Sequence, residues 1–171
     1  SMHPPSFADA ECIKLVTRRR NGAEVATPVW FVLWNDTACL RTATRFGKVK
    51  RLNNDPEVRY APCDWDGNVS GPWLEGRAEL IPATDERAAV IDRLLDGKYG
   101  ERRAAMSRLM QADGMEPVFV AITPAAGFVK PSAKAQATPA NAIASPPSFM
   151  MIRRSARAMN GMPSATMKGA R

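Results

Sequence analysis

The fold is decided by the stretch from residue 12 to residue 34, CIKLVTRRRNGAEVATPVWFVLW. Its first part, residues 12–19, contains Ile13, Leu15 and Val16 and predicts a strand. Asn21-Gly22 is the dipeptide that most readily adopts the positive backbone angles of a tight hairpin turn. A second strand is predicted to return over residues 25–34, where both faces are apolar, as in a barrel wall or a surface covered by a partner chain. The stretch therefore predicts an antiparallel hairpin at the start of a mainly β protein.

Further strands and helices follow this hairpin along the chain. Strands are predicted over residues 39–44, 57–63, 68–82 and 117–123, and helices over residues 48–53, 84–97 and 101–111. The last of these helices carries Ala104, Ala105, Arg108 and Leu109 at helical spacing. Strands in hairpin order, with one helical excursion before the final strand, favour a closed antiparallel barrel over a parallel sheet. We therefore predict a mainly β fold of six strands with two or three short helices.

The composition argues against several kinds of catalytic centre. The single histidine, His3, lies in a terminus that we expect to be mobile, so no Ser/His or Cys/His pair and no histidine metal site is expected. The three cysteines, Cys12, Cys39 and Cys63, lack metal-ligand spacing and are expected to be reduced core thiols of a cytoplasmic protein. No apolar run approaches the roughly 18–20 residues that a membrane-spanning helix needs. We therefore expect a soluble protein without catalytic side chains or a metal, whose chemistry comes from something bound.

The positive charge of the chain is concentrated in its last quarter. Of the 24 Lys and Arg residues, 17 precede residue 130 and are balanced by all 17 acidic residues, so the net charge of +7 lies in residues 130–171. We predict a barrel domain over residues 1–128 and a basic, low-complexity, disordered tail over residues 129–171. The tail is interpreted as an idle extension, with a nucleic-acid or lipid-binding arm as the alternative. The barrel domain is not expected to bind nucleic acid or a membrane.

Within the barrel domain one segment has a local excess of positive charge. Residues 37–54 contain no acidic residue. The basic residues of this segment are Arg41, Arg45, Lys48, Lys50 and Arg51, and Arg59 follows in the next predicted strand. A predicted helix begins at Lys48, where free backbone N–H groups and the helix dipole favour an anion. The segment therefore predicts a compact anion site, and a solvated basic face is the alternative. The glycine-rich phosphate loops of nucleotide-binding folds are absent from the sequence.

Five blocks of sequence carry a family resemblance. They are TPVWF (27–31), RTAT (41–44), GKVKRLNNDP (47–56), APCD (61–64) and GPWLEGRA (71–78). In their order and spacing they resemble the F420-dependent branch of the pyridoxamine-5'-phosphate-oxidase-like split barrels. The resemblance covers roughly residues 8–124 and ends before the tail.

This resemblance implies an FMN-binding type of split β-barrel that forms a homodimer, with two cofactor sites at the interface. The implied cofactor is coenzyme F420, with FMN as the alternative. The resemblance assigns Thr42, Thr44, Arg45, Lys48, Lys50 and Arg51 to the phosphate and polyglutamate-like tail, and Pro28, Val29, Trp30 and Trp73 to the rest of the cofactor site, the first three lining the ring. For Trp30 and Trp73, ordinary barrel or dimer packing is the alternative.

The function implied by the resemblance is hydride transfer between the reduced cofactor and a small conjugated organic acceptor. Flavins and deazaflavins carry this chemistry themselves, so the protein needs to bind, orient and tune the ring. An FMN-dependent reductase or oxidase of the same fold is one alternative. A second is a protein that binds a flavin, a deazaflavin or a tetrapyrrole without turnover.

Overall fold

The computed structural model describes residues 2–125, and the predicted tail over residues 129–171 lies outside the described residues. Within this range there are seven strands: β1 (Cys12–Arg18), β2 (Glu24–Val29), β3 (Val32–Trp34), β4 (Thr37–Ala43), β5 (Glu57–Cys63), β6 (Leu74–Pro82) and β7 (Pro117–Pro124). The helices in the same range are α1 (Pro5–Ala8), α2 (Gly47–Asn54), α3 (Glu86–Tyr99) and α4 (Glu101–Ala112). The predicted fold class is confirmed, whereas the predicted counts, six strands and two or three helices, are lower than the seven strands and four helices of residues 2–125.

The strands form one antiparallel sheet in the order β2-β1-β5-β6-β7-β4-β3. Hairpins join β1 to β2 and β3 to β4, whereas the pairs β1–β5 and β4–β7 join strands that are distant in sequence. The two outer strands, β2 and β3, are consecutive in the chain and are separated only by Trp30 and Phe31. The sheet therefore curls until its outer strands meet end to end at this two-residue link.

The structure has one strand more than predicted, because the single strand predicted over residues 25–34 is interrupted at this link and forms both β2 and β3. The Tyr99 hydroxyl accepts a hydrogen bond from the Phe31 N–H at 2.9 Å, donates to the Glu11 carbonyl at 2.8 Å and lies 3.0 Å from the Phe31 carbonyl. The Phe31 backbone is thereby bonded to a side chain instead of a neighbouring strand. This contact from α3, distant in sequence, explains why one apolar run becomes two strands.

Two turns of the barrel have the predicted backbone chemistry. Gly22 has a φ of 86° and closes the β1–β2 hairpin, where its N–H donates to the Arg19 carbonyl at 2.9 Å. Asn35 and Asp36 have φ values of 50° and 58° and connect β3 to β4. Two consecutive positive φ values match the right-handed twist of a tight hairpin, which Asn and Asp tolerate better than most residues.

Apolar side chains fill the barrel, and α3 covers part of its outer face. The interior cluster includes Ile13, Leu15, Phe31, Leu40, Tyr60, Leu74, Val120 and Ile122, and the cluster under α3 includes Cys39, Ile81, Ile91, Leu95 and Phe119. The three cysteines are buried and form no disulfide within residues 2–125, in agreement with their interpretation as core thiols. The expected mobility of the terminus at His3 is wrong, because this side chain is buried and its Nε2 lies 2.8 Å from the Tyr60 hydroxyl.

Candidate functional site

The barrel is split between its two outer strands. On its outer edge, β4 pairs with β3 only from Thr37 to Cys39. From Leu40 onward this edge of β4 has no strand partner among residues 2–125. The facing edge of β2 also lacks a strand partner in this range, because β2 pairs with β1 alone. Val29 and Trp30 on one side and Leu40 on the other line a cavity of about 60 Å³ at this split.

The cavity is walled by strands on one side and by helices on the other. The strand side consists of Val29, Trp30, Leu40, Arg41 and Thr42; Phe46 and Lys48 come from the start of α2, Leu95 comes from α3, and Arg103, Met106, Ser107 and Met110 come from α4. Four of the predicted site residues, Val29, Trp30, Thr42 and Lys48, are thus brought together.

Lys48 is the least compensated charge in this cavity. Its side chain is only 2% exposed, and its ammonium forms no hydrogen bond or ion pair with another described residue. Burial, and secondarily the nearby Arg51 guanidinium, lower the pKa of Lys48 from 10.5 to about 7. The buried Oγ1 of Thr42, also on the cavity wall, has no hydrogen-bond partner among residues 2–125. An anionic group in the cavity would satisfy both side chains at once.

The two arginines of the cavity are compensated, in contrast to Lys48. Arg103 is buried and pairs with the carboxylates of Asp92 and, at 2.5 Å, Asp96. Arg41 Nη1 donates to Ser107 Oγ at 3.1 Å and lies 3.5 Å from the Asp92 carboxylate. Two guanidinium groups thus face two carboxylates between β4, α3 and α4.

Trp30 is held in place by an aromatic cluster. Its ring stacks on Tyr99 with centroids 4.8 Å apart and planes within 12°, and it meets Trp65 edge to face at 5.8 Å. Tyr99 is the residue whose hydroxyl fixes the Phe31 backbone, and burial raises its pKa. The tryptophan at the cavity wall therefore has a fixed orientation.

The other six predicted site residues lie outside this cavity. Thr44, Arg45 and Lys50 are exposed at the surface. The Arg51 guanidinium turns toward β1, where its Nε donates to Thr17 Oγ1 at 2.6 Å.

Pro28 and Trp73 are buried, but neither lines the cavity. Pro28 pairs with Lys14 in the β1–β2 ladder. Trp73 packs with Val16, Ala26 and Ala61 on the outer face of the sheet, under the Arg59 guanidinium at 5.8 Å. This environment agrees with the alternative interpretation of Trp73, in which the ring serves ordinary barrel packing.

Sequence reasoning missed the wall of the cavity that α4 provides. The residues that define its helical spacing in the sequence, Ala104, Ala105 and Arg108, are exposed. The inner face instead contains Arg103, Met106, Ser107 and Met110. The i, i+3, i+4, i+7 spacing of these four was a usable signal, although two of them are polar.

Within residues 2–125, no helix is long and apolar enough to span a bilayer. No cluster of three or more potential metal-binding His, Cys, Asp or Glu side chains occurs in that same range.

The fold has known counterparts. The heme storage protein HutZ of Vibrio cholerae superposes with a TM-score of 0.59 at 14% identity, covering 76% of this chain and 93% of the other. A candidate 5-nitroimidazole antibiotic resistance protein of Bacteroides thetaiotaomicron superposes with a TM-score of 0.51 at 14% identity, covering 68% and 74%. An F420 reductase aligns with a TM-score of 0.48 at 19% identity, covering 71% and 92%.

The superpositions with HutZ and with the nitroimidazole resistance protein agree with the architecture of the chain. The expected mainly β barrel fold with few helices is confirmed. No protein-family model matches the sequence, and no curated protein matches it either. At such low identity the likeness concerns the fold alone, so the function is argued from the side chains of the cavity.

Proposed function

We propose that the protein binds a flavin-type redox cofactor, coenzyme F420 in preference to FMN, and transfers a hydride from it to a small conjugated acceptor. The observation that carries this proposal is the buried Lys48 ammonium, which lines a cavity of the split barrel and has no anionic partner among residues 2–125. An unpaired buried charge costs several kcal/mol. The presence of a lysine at this buried position is explained if a bound ligand supplies the anionic partner.

The phosphate of the cofactor fits the end of the cavity at α2. Lys48 offers an ammonium there and Thr42 offers a buried hydroxyl without a partner. The first backbone N–H groups of α2 add hydrogen-bond donors, since no side chain caps this helix. Thr44, Arg45 and Lys50 are exposed, and in this proposal they hold the carboxylates that F420 carries beyond its phosphate and that FMN lacks.

The ring of the cofactor fits the edges of the split. Val29 and Leu40 give apolar contact, Trp30 gives an aromatic face, and the unpaired strand edges offer backbone donors and acceptors to polar ring atoms. A bound ring would supply the hydride, while the chain binds and orients the ring. No acid or base from the protein is required, since water can supply the proton.

A cavity of about 60 Å³ is far smaller than the roughly 300–1,000 Å³ of typical cofactor sites. One chain can therefore enclose a phosphate or part of a ring, and the remainder of the cofactor must lie at the surface. We propose a homodimer in which the second copy covers that remainder. We also propose a cytoplasmic location, which is supported by three buried cysteines that form no disulfide within residues 2–125 and which cell fractionation would test.

Binding without turnover is the second candidate. HutZ, which shares the fold, is described as a heme storage protein. Heme ligation through histidine has little support in this chain, because His3 lies against Tyr60 in the core and is not part of the cavity wall.

The identity of the ligand is tested by fluorescence titration of the purified protein with F420, FMN and hemin. F420 is expected to bind most tightly, and oxidation of reduced F420 by cyclohex-2-enone is expected to depend on the protein. Binding of F420 without such oxidation would favour the carrier. Binding of hemin alone would contradict the proposal.

A further inference from the structure

Helix α4 forms a wall of the cavity with its entire inner stripe. Arg103, Met106, Ser107 and Met110 follow one another at i, i+3, i+4 and i+7, and all four line the cavity. Most of the remaining α4 positions are exposed. A helix that covered only the core would bury an apolar stripe against it. The inner stripe of α4 faces a space that a small molecule can enter.

The two ends of the cavity differ in charge. At the α2 end, the Lys48 ammonium has no carboxylate partner among the described residues. At the α4 end, Asp92 and Asp96 compensate Arg103, and Asp92 and Ser107 hold Arg41. The α4 end therefore has no net charge to attract an anion, and its other walls are Leu95, Met106 and Met110.

The backbone at both ends of α4 is compatible with outward movement. Gly100 joins α3 to α4 with a φ of 59°, and Gly114 follows α4 with a φ of 67°. No atom lies within 4 Å of the position that a Cβ would take at either glycine. Methionine side chains are unbranched and adapt to ligands of different shape. The two methionines can thus adapt the α4 side of the cavity to an entering ligand, while Arg103 and Ser107 keep α4 bonded to α3 and β4.

We infer that α4 is the wall that selects the acceptor, and that Met106 and Met110 are specificity-determining residues for neutral, weakly polar, conjugated carbonyl compounds. This inference rests on the proposed function. In the reaction the acceptor gains a C–H bond from the hydride of the reduced cofactor, its π electrons move to the carbonyl oxygen, and water supplies the proton. The acceptor is reduced and the cofactor is oxidised.

Acceptor binding is tested first on the Lys48→Met variant without cofactor, in which no uncompensated ammonium in the cavity attracts the anionic probe, by quenching of tryptophan fluorescence. The probes are 1,4-naphthoquinone, which is neutral, and 1,2-naphthoquinone-4-sulfonate, which is anionic. The neutral quinone is expected to bind more tightly. Met106→Ala and Met110→Ala are each expected to weaken its binding about fivefold through lost contacts. Met115→Ala removes the same side chain just beyond α4, outside the cavity wall, and is expected to have no effect.

Turnover provides the second measurement, with cyclohex-2-enone and its bulkier 4,4-dimethyl derivative as acceptors. Met106→Ala is expected to raise the relative kcat/KM for the bulkier enone about fivefold, and Met106→Phe is expected to lower it. The two variants change the space in opposite directions, so the test stands even if one of them does not fold.

The inference is overturned if the sulfonate binds as well as the neutral quinone, or if Met115→Ala changes binding as much as the α4 variants do. Titration with F420 separates this failure from failure of the proposed function. Normal F420 binding in the Met106 and Met110 variants, with unchanged acceptor preference, would reject α4 as the selecting wall and leave cofactor binding intact.

Discussion

At the scale of single residues, Lys48 and Thr42 could be identified from the sequence, but the position of Arg51 could not. A helix start within an acid-free segment indicated Lys48, the family resemblance indicated Thr42, and both residues line the cavity. Arg51 lies one turn beyond Lys48, yet its guanidinium is bonded to Thr17 on β1. Where a long side chain ends depends on neighbours that are distant in sequence, and no local pattern encodes them.

Replacement of the buried ammonium by an apolar side chain is expected to stabilise the protein. Lys48→Met removes a buried charge, so the free energy of unfolding at pH 7 should rise by about 1–4 kcal/mol. Lys50→Met, two residues away on an exposed position of α2, is the control and should change little. Urea unfolding measures both variants. A loss of stability in Lys48→Met would show that the ammonium has a partner that stabilises it.

The low pKa of Lys48 also predicts how stability depends on pH. Its pKa is about 7 in the folded chain and 10.5 ordinarily, so between these values the unfolded chain binds more protons. The free-energy cost of burying the Lys48 ammonium is complete below pH 7 and decreases as the pH rises toward 10.5. Urea unfolding should show stability rising more steeply between pH 7 and pH 9 in the wild type than in Lys48→Met. Parallel profiles would contradict the assignment.

At the scale of secondary-structure elements, the sequence predicted hairpins and most helices well but not the contacts between distant elements. Glu57–Cys63 was predicted with its observed bounds, because β-branched and aromatic residues between turn signals favour a strand. The break between β2 and β3 depends on Tyr99, almost 70 residues away, and was not foreseen. The α4 wall was missed because Arg103 and Ser107 are residue types that usually face water.

Loss of the Tyr99 hydroxyl is expected to weaken the link between the outer strands. In Tyr99→Phe the Phe31 N–H and the Glu11 carbonyl lose a buried hydrogen-bond partner, which should lower the free energy of unfolding by about 1–3 kcal/mol. Tyr60→Phe is the control, since its hydroxyl has one described partner, His3. Urea unfolding of both variants is the measurement. An equal or larger loss in Tyr60→Phe would contradict the role given to Tyr99.

At the scale of the whole molecule, the mainly β architecture followed from the alternation of turns and apolar runs, while the sheet order did not. The pairs β1–β5 and β4–β7 bring distant segments together and open the split at the end of β2. Only this arrangement places Lys48 beside Val29 and Trp30. A pattern along the chain carries no information about such long-range neighbours.

Completion of the site by a second copy predicts that cofactor affinity depends on protein concentration. If the second copy covers the exposed part of the cofactor, dilution below the dissociation constant of the dimer should weaken binding, because ligand binding and assembly are then linked. Analytical ultracentrifugation with and without F420 is the measurement, and F420 should shift the equilibrium toward dimer. A monomer that binds F420 with undiminished affinity would contradict the dimeric site.

The most direct test of the anion-binding role of Lys48 compares FMN with riboflavin, which lacks the phosphate, in equilibrium titrations of the wild type, Lys48→Met and Lys50→Met. Loss of one charge-assisted hydrogen bond corresponds to about a tenfold or greater loss of affinity. Lys48→Met is expected to lose this much affinity for FMN and none for riboflavin, while Lys50→Met should lose much less. If Lys48→Met binds FMN as well as the wild type does, or loses FMN and riboflavin equally, Lys48 does not hold the phosphate.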